Sequence, residues 1–179
     1  SNDLILKEKI NKIYPHINFI LSKKNNGYGS GNNKIFRLAK TSHVLVLNPD
    51  TILSKNCINE LIHQANLIKN KFAILAPSEK NIIKKEIMEV DHVKGFSMLV
   101  NLSKIKKIKM FDENFFLYLE EIDLCKRLKL ASEKIYICGK AKITHLSAKS
   151  SNIGFEFEKC RNWHWMWSNV YYNKKHKNF

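Results

Sequence analysis

The sequence predicts an α/β fold, a sheet flanked by helices, and two observations carry that prediction. Runs of branched aliphatics bounded by turn formers, HVLVLN (43–48), FAILAP (72–77) and VKGFSMLVN (93–101), have the length and composition of buried strands. Between and after them stand segments whose apolar residues recur every three or four positions, the period of a helix packed on one side. Strands alternating with helices argue a sheet that is largely parallel in its first half. At 179 residues the chain is long enough for one real core and too short for two comfortable ones. No internal repeat or low-complexity linker divides it, so residues 1–179 read as a single domain.

In chain order, residues 4–13 read as a helix and INFILS (17–22) as a short strand. A polar, glycine-rich loop, KKNNGYGSGNN, leads into a helix over 33–40, with Ile35, Leu38 and Ala39 at helical spacing, and then the strand 43–48. Ser54 can cap a helix whose apolar positions are Ile58, Leu61, Ile62, Ala65 and Ile68. The strand 72–77 ends at Pro77, residues 78–92 form a charged excursion or edge hairpin, and 93–101 return to strand. A short basic helix follows, then the aromatic run FDENFFLY, a helix from Leu119 to about Leu130, and two closing strands, KIYIC and AKITHL.

The formal charge of +15 suits a polyanionic partner, but 28 of the 31 basic residues are lysine, spread along the whole chain. Nucleic-acid readers favour arginine for its bidentate fork, and no run mixes arginine with aromatics in a recognisable module, so no nucleic-acid partner is expected. The four cysteines show neither a CxxC pair nor a metal-ligand spacing, which fits reduced thiols in the cytoplasm. No apolar stretch approaches the ~20 residues of a bilayer span.

Asp50 stands just past a strand, in LNPDTIL, where ligands of open α/β sheets bind. Pro49 ends the strand and limits the directions Asp50 can take, and Asn48 adds a neutral amide. An ordinary turn explains the tetrapeptide equally well. The loop holding Gly27, Gly29 and Gly31 ahead of a helix favours a ligand, because such a loop lets backbone N–H groups approach a phosphate or sugar. Five of the 16 acidic residues, Asp112, Glu113, Glu120, Glu121 and Asp123, crowd a window without one Lys or Arg. Asp123 can pair with Arg127 one turn on. Glu120 and Glu121, side by side after an aromatic run, repel each other and lose solvation, which raises a carboxyl toward the range of a general base; either is a candidate. His145, at a further strand end, is a candidate metal ligand if the fold brings it to Asp50.

The blocks NNGYGSGNN, VLVLNPDTIL, VKGFSMLV, FDENFFLYLEEIDLCKRL and AKITHLSAKSS, in this order, resemble the family 2 glycosyltransferases of GT-A fold, in their rhamnosyltransferase-like branch. The resemblance spans roughly residues 1–172. It implies a GT-A-like, Rossmann-like mixed sheet flanked by helices, and an inverting, metal-dependent transfer of a rhamnose-like sugar from a nucleotide-sugar donor to a glycan or lipid-linked acceptor of cell-surface polysaccharide. It assigns a divalent metal, Mg2+ or Mn2+, to Asp50 and His145; donor contacts to Asp3, Gly27, Asn33, Asn48 and Asp50; the base to Glu121, with Glu120 as the alternative; and the acceptor side to Asp123 and Gly95. It places the protein in the cytoplasm or at the cytoplasmic face of the inner membrane.

Family members open with a strand carrying V.VV.TYN and a second ending DN.S.D, whereas this chain begins SND, so Asp3 matches the tail of the second. The expectation is a domain truncated at its N-terminus, with poor donor binding and little catalysis. A catalytically inactive remnant that binds glycan or protein is the alternative function. At the other end, Trp163, Trp165, Trp167, Tyr171 and Tyr172 stand among lysines, a pattern that serves either a core-packing helix or peripheral contact with a membrane.

Overall fold

The computed structural model describes residues 3–79, 85–146 and 154–176. Its elements in chain order are α1 (Leu4–Ile13), α2 (Tyr28–Leu38), β1 (His43–Leu47), β2 (Thr51–Leu53), α3 (Cys57–Leu67), β3 (Ile74–Glu79), β4 (Ile87–Glu89), β5 (Ser97–Asn101), α4 (Leu102–Lys107), α5 (Glu120–Leu130), β6 (Ile135–His145) and α6 (Phe155–His176). The strands form one sheet in the order β1-β5-β3-β6-β2, with β4 also paired to β6. The expected strand INFILS does not form: residues 17–22 are irregular, and Ile17 and Ile20 are exposed.

The sheet is mixed, and only β3 and β6 run parallel. This corrects the expectation of a parallel first half. β5, returning from the excursion that holds β4, inserts antiparallel between β1 and β3, so the helix-linked strands are not neighbours. KIYIC and AKITHL merge into the single eleven-residue β6. The register jumps from Pro77 opposite Cys138 to Ser78 opposite Lys142, so Pro77 sits at an irregularity that needs no donor and β3 runs on past it to Glu79.

Successive residues of a strand face opposite sides, and β3 shows it: Ile74 joins one core and Leu75 the other. The first core, under α2, α4 and α5, holds Phe36 stacked on Phe111 with Met98, Val100, Leu124 and Leu128. Fully burying each such side chain contributes roughly 1.5–3 kcal/mol. The second core lies under α3, which buries Cys57, Leu61, Gln64 and Ala65 and leaves Ile58 and Ile62 outside. Asn56, not Ser54, is the N-cap of α3, and Ser54 contributes only its carbonyl to Cys57 N–H at 3.0 Å.

α6 is held by polar contacts more than by apolar burial. Ser168 is its one buried residue among those described; its hydroxyl donates to Leu117 C=O at 2.7 Å, and Arg161 Nε donates to the Tyr118 hydroxyl at 2.8 Å. Trp163, Trp165 and Trp167 are exposed, so the core-packing reading of that segment does not apply to them.

One end of the sheet collects the features of interest. Leu47 of β1 lies opposite Ser97 of β5, Glu79 of β3 opposite Ile143 of β6, and Thr51 opposite His145. The carboxyl ends of β1, β3 and β6 and the amino end of β5 therefore open on the same edge.

Candidate active site

β2 pairs antiparallel with β6, Thr51 opposite His145, which sets Asp50, the residue before β2, against His145. Asp50 Oδ2 lies 3.2 Å from His145 Nε2, without the alignment of a hydrogen bond. The backbone holds the pair in place, with Leu146 N–H donating to Asp50 C=O at 2.9 Å. Asp50 is buried, and its Oδ1 and His145 Nε2 have no hydrogen-bond partner. Unsatisfied buried polar atoms facing each other are costly unless something else coordinates them. A carboxylate oxygen and an imidazole nitrogen are a hard and a borderline ligand, which suits a divalent ion with open positions left over. Among the described residues no third His, Cys, Asp or Glu joins them.

The acidic window is sorted by its partners. Asp112 accepts from Tyr171 at 2.9 Å and Lys175 at 2.6 Å; burial alone would raise its pKa, but hydrogen bonds from Lys175, Asn114 N–H and Tyr171 outweigh that and bring it down to about 2. Glu113 pairs with Arg37 at 2.7 Å. Asp123 is fully buried and meets Arg127 at 2.8 Å, Lys175 at 2.7 Å and His176 at 2.7 Å. Asp123, the residue expected on the acceptor side, thus ties α6 to α5 through Lys175 and His176.

Glu120 and Glu121 have no such cations. Burial, then the neighbouring Glu121 charge, pushes Glu120 up to about 8, and its Oε2 has no partner. Glu121 is half-buried, and burial raises it too, partly offset by backbone N–H groups at the start of α5. Both are presented by a strained entry, because Tyr118 and Leu119 take left-handed conformations with φ of 71° and 64°. For residues with a Cβ this costs roughly 1–2 kcal/mol each, a strain typical of functional sites.

One segment joins the two halves. The Phe96 ring stacks on His145 with centroids 4.5 Å apart, and Phe96 C=O accepts from Asn48 N–H at 2.8 Å. A Cβ on the adjacent Gly95 would meet Glu121 Cβ and the Tyr28 ring, both at 3.6 Å, while the Tyr28 hydroxyl donates to Gly95 C=O. Gly95 to Phe96 therefore touches the Asp50–His145 pair on one side and the carboxylates on the other. Sequence reasoning missed Phe96 and Tyr28. An aromatic directly after a glycine at a strand entry, and another inside a glycine-rich loop, were the available signals.

The glycine-rich loop forms the first turn of α2. Gly27 is the N-cap at φ 89°, and a side chain there would collide with Phe116 C=O at 2.2 Å. Beside it lies a cavity of about 570 Å3 lined by Gly27, Gly31, Lys23, Lys24 and Lys34. Two residues expected on the donor side make contacts within the protein. Asn33 is buried and brackets Phe111, donating to its C=O at 2.9 Å and accepting from its N–H at 3.1 Å, with Glu113 as a further acceptor. Asp3 caps α1 by accepting from Leu6 N–H at 2.8 Å.

Comparison with known proteins is consistent with this arrangement. Residues 4–138 match Glycosyl transferase family 2. The low-salt glycan biosynthesis hexosyltransferase Agl10 of Haloferax volcanii is 30% identical over 158 aligned positions, covering 72% of this chain and 52% of that protein. The rhamnosyltransferase WbbL of Escherichia coli K12 is 26% identical, over 92% of this chain and 76% of that one. The chain thus spans about half the length of the haloarchaeal relative. In fold it resembles GalNAc-T7, a GT-A glycosyltransferase crystallised with UDP, GalNAc and Mn2+. The TM-score is 0.68 at 10% identity, over 80% of this chain and 35% of that one.

Proposed function

The chain belongs to glycosyl transferase family 2, and from that membership we propose that it transfers a rhamnose-like hexose from a nucleotide-sugar to a hydroxyl of a glycan or lipid-linked acceptor, with inversion. The observation that carries this reading is the Asp50–His145 contact at a shared strand edge, joined through Phe96 and Gly95 to Glu121.

Asp50 and His145 would hold a divalent cation, Mg2+ or Mn2+, because each offers a lone pair that no protein group takes. Bound there, the cation supplies positive charge to the departing nucleoside diphosphate. The protein does the rest with its own groups. Phe96 stacks on the imidazole and fixes its plane. Gly27 keeps the α2 turn close, beside the lysine-lined cavity that receives the donor. Asn48, one residue from the β1 end, lies at the mouth of the site. Glu120, held at about 8, keeps its proton at neutral pH, and Glu121, the carboxylate beside Gly95, is assigned the base. Glu121 takes the proton from the acceptor hydroxyl as that oxygen attacks the anomeric carbon. Gly95, without a side chain, lets the acceptor approach it.

The test is nucleoside diphosphate release from dTDP-rhamnose and a panel of UDP-, GDP- and dTDP-hexoses with Mg2+ or Mn2+. Release from one donor, abolished by Asp50→Asn, is the expected result; metal-independent release, or release that survives Asp50→Asn, would overturn the reading.

A binding-only role has one observation in its favour: among the described residues β1 pairs only with β5 and leaves its other edge unpaired. Tight donor binding with no release from any donor would establish that role instead. We place the working protein at the cytoplasmic face of a membrane, where the exposed Trp163, Trp165 and Trp167 of α6 suit the interface. Flotation with anionic vesicles tests this, and a chain that stays at the bottom of the gradient rules it out. No helix among the described residues is long and apolar enough to cross a bilayer.

A further inference from the structure

A second cavity, of about 260 Å3, lies at the carboxyl end of β3, with Phe96 in its wall. Ser78, Glu79, His92, Lys94, Phe96 and Ser97 contribute to its wall, and the register jump between Pro77 and Ser78 adjoins it. It is smaller than the roughly 300–1,000 Å3 pockets that enclose drug-sized ligands, which suits one sugar ring.

Its polar groups are an odd set for an empty pocket. Ser97 is 1% exposed and its Oγ has no partner. Ser78, 2% exposed, donates to Glu79 C=O at 2.8 Å and keeps its acceptor lone pairs. Glu79 and Lys94 form an ion pair of 2.5 Å at the rim. A buried hydroxyl left unpaired costs stability, so a site that keeps one gains from it elsewhere. Two hydroxyls, a carboxylate and an ammonium offer donors and acceptors together, which matches a ring of alternating hydroxyl groups. Phe96, Val93, Ala76 and Ile137 supply apolar wall for its C–H face.

The position matters as much as the chemistry. Phe96 is common to this cavity and to the His145 stack, and Lys94 and Phe96 flank the Gly95 that meets Glu121. We infer that this cavity is the acceptor subsite and takes one neutral pyranose unit, held by the Ser97 and Ser78 hydroxyls and the Glu79–Lys94 pair. The inference rests on the transfer reading and adds to it where the acceptor sits and which residues select it.

The experiment is saturation-transfer NMR on the 179-residue chain, without nucleotide or metal, using methyl glycosides of glucose, galactose, N-acetylglucosamine, mannose and rhamnose. At least one glycoside receives saturation, and Ser97→Ala weakens its binding roughly 5–10-fold, as loss of one hydrogen bond does. The same variant melts roughly 2–4 °C higher without ligand, because the unpaired hydroxyl is gone. That combination separates a binding role from damage to the fold. Asp50→Asn leaves glycoside binding unchanged, so failure of the donor site and failure of this subsite are told apart. Saturation of no glycoside, or binding indifferent to both Ser97→Ala and Lys94→Ala, overturns the inference.

Discussion

Replacing Glu120 with glutamine should change how stability depends on pH, and the magnitude follows from its surroundings. Glu120 is 5% exposed, has an unpaired oxygen, and its ionisation moves from 4.5 to about 8 on folding. Below pH 4.5 both folded and unfolded chains carry the proton, and there is no penalty. Between 4.5 and 8 the unfolded chain releases it and the folded chain keeps it, so stability falls as pH rises through that window. The whole displacement is worth at most roughly 5 kcal/mol. Part of it belongs to the Glu120–Glu121 pair and not to Glu120 alone, so roughly 2–4 kcal/mol should be lost across this window. The substituted amide has no proton to release, and any cost of burying it is the same at each pH. Urea unfolding of wild type and Glu120→Gln at about pH 4.5, 6, 7 and 8 reads the difference directly. The variant should gain on the wild type steadily across the series. A difference that stays constant over the whole series would show that Glu120 ionises normally, and with it the division of labour between the two carboxylates would fall.

The same division predicts that Glu121→Gln lowers the rate of transfer by roughly 10²–10⁴-fold while Glu120→Gln retains most of it; equal losses in a steady-state assay would contradict the assignment. Asp112→Asn should cost roughly 2 kcal/mol at pH 7, because Lys175, Asn114 and Tyr171 hold that carboxyl near 2. This stabilisation is present above about pH 4 and disappears as pH falls toward 2, so the two chains should converge in acid; a gap that persists at about pH 2 would refute it.

Much of the fold was legible because it is local. Branched aliphatic runs located β1, β3 and β5, and periodicity located α3 and α5, although the α3 face was rotated so that Ile58 and Ile62 lie outside. The order of the strands was not legible, since the insertion of β5 between β1 and β3 is a pairing of residues some fifty apart that no local period encodes. The site divides in the same way. Asp50 and His145 were named from their places at strand ends and from family likeness, and they do meet. The partners of Asn33 and Asp123, Phe111 for one and Lys175 and His176 for the other, were not legible because they lie far along the chain. A carboxylate in an acidic window looks the same in sequence whether a distant helix neutralises it or not. Phe96 escaped notice because its role is a stack with a residue 49 positions away, on another strand's end.

The account stands on Asp50 and His145 sharing one cation. Pulsed EPR of Mn2+ added to the chain with UDP or dTDP measures this most directly. The account predicts modulation from one imidazole nitrogen in the wild type, its disappearance in His145→Ala, and at least a roughly tenfold loss of Mn2+ affinity in Asp50→Asn. Absence of Mn2+ binding, or Mn2+ bound without nitrogen coupling and with equal affinity in both variants, would contradict it.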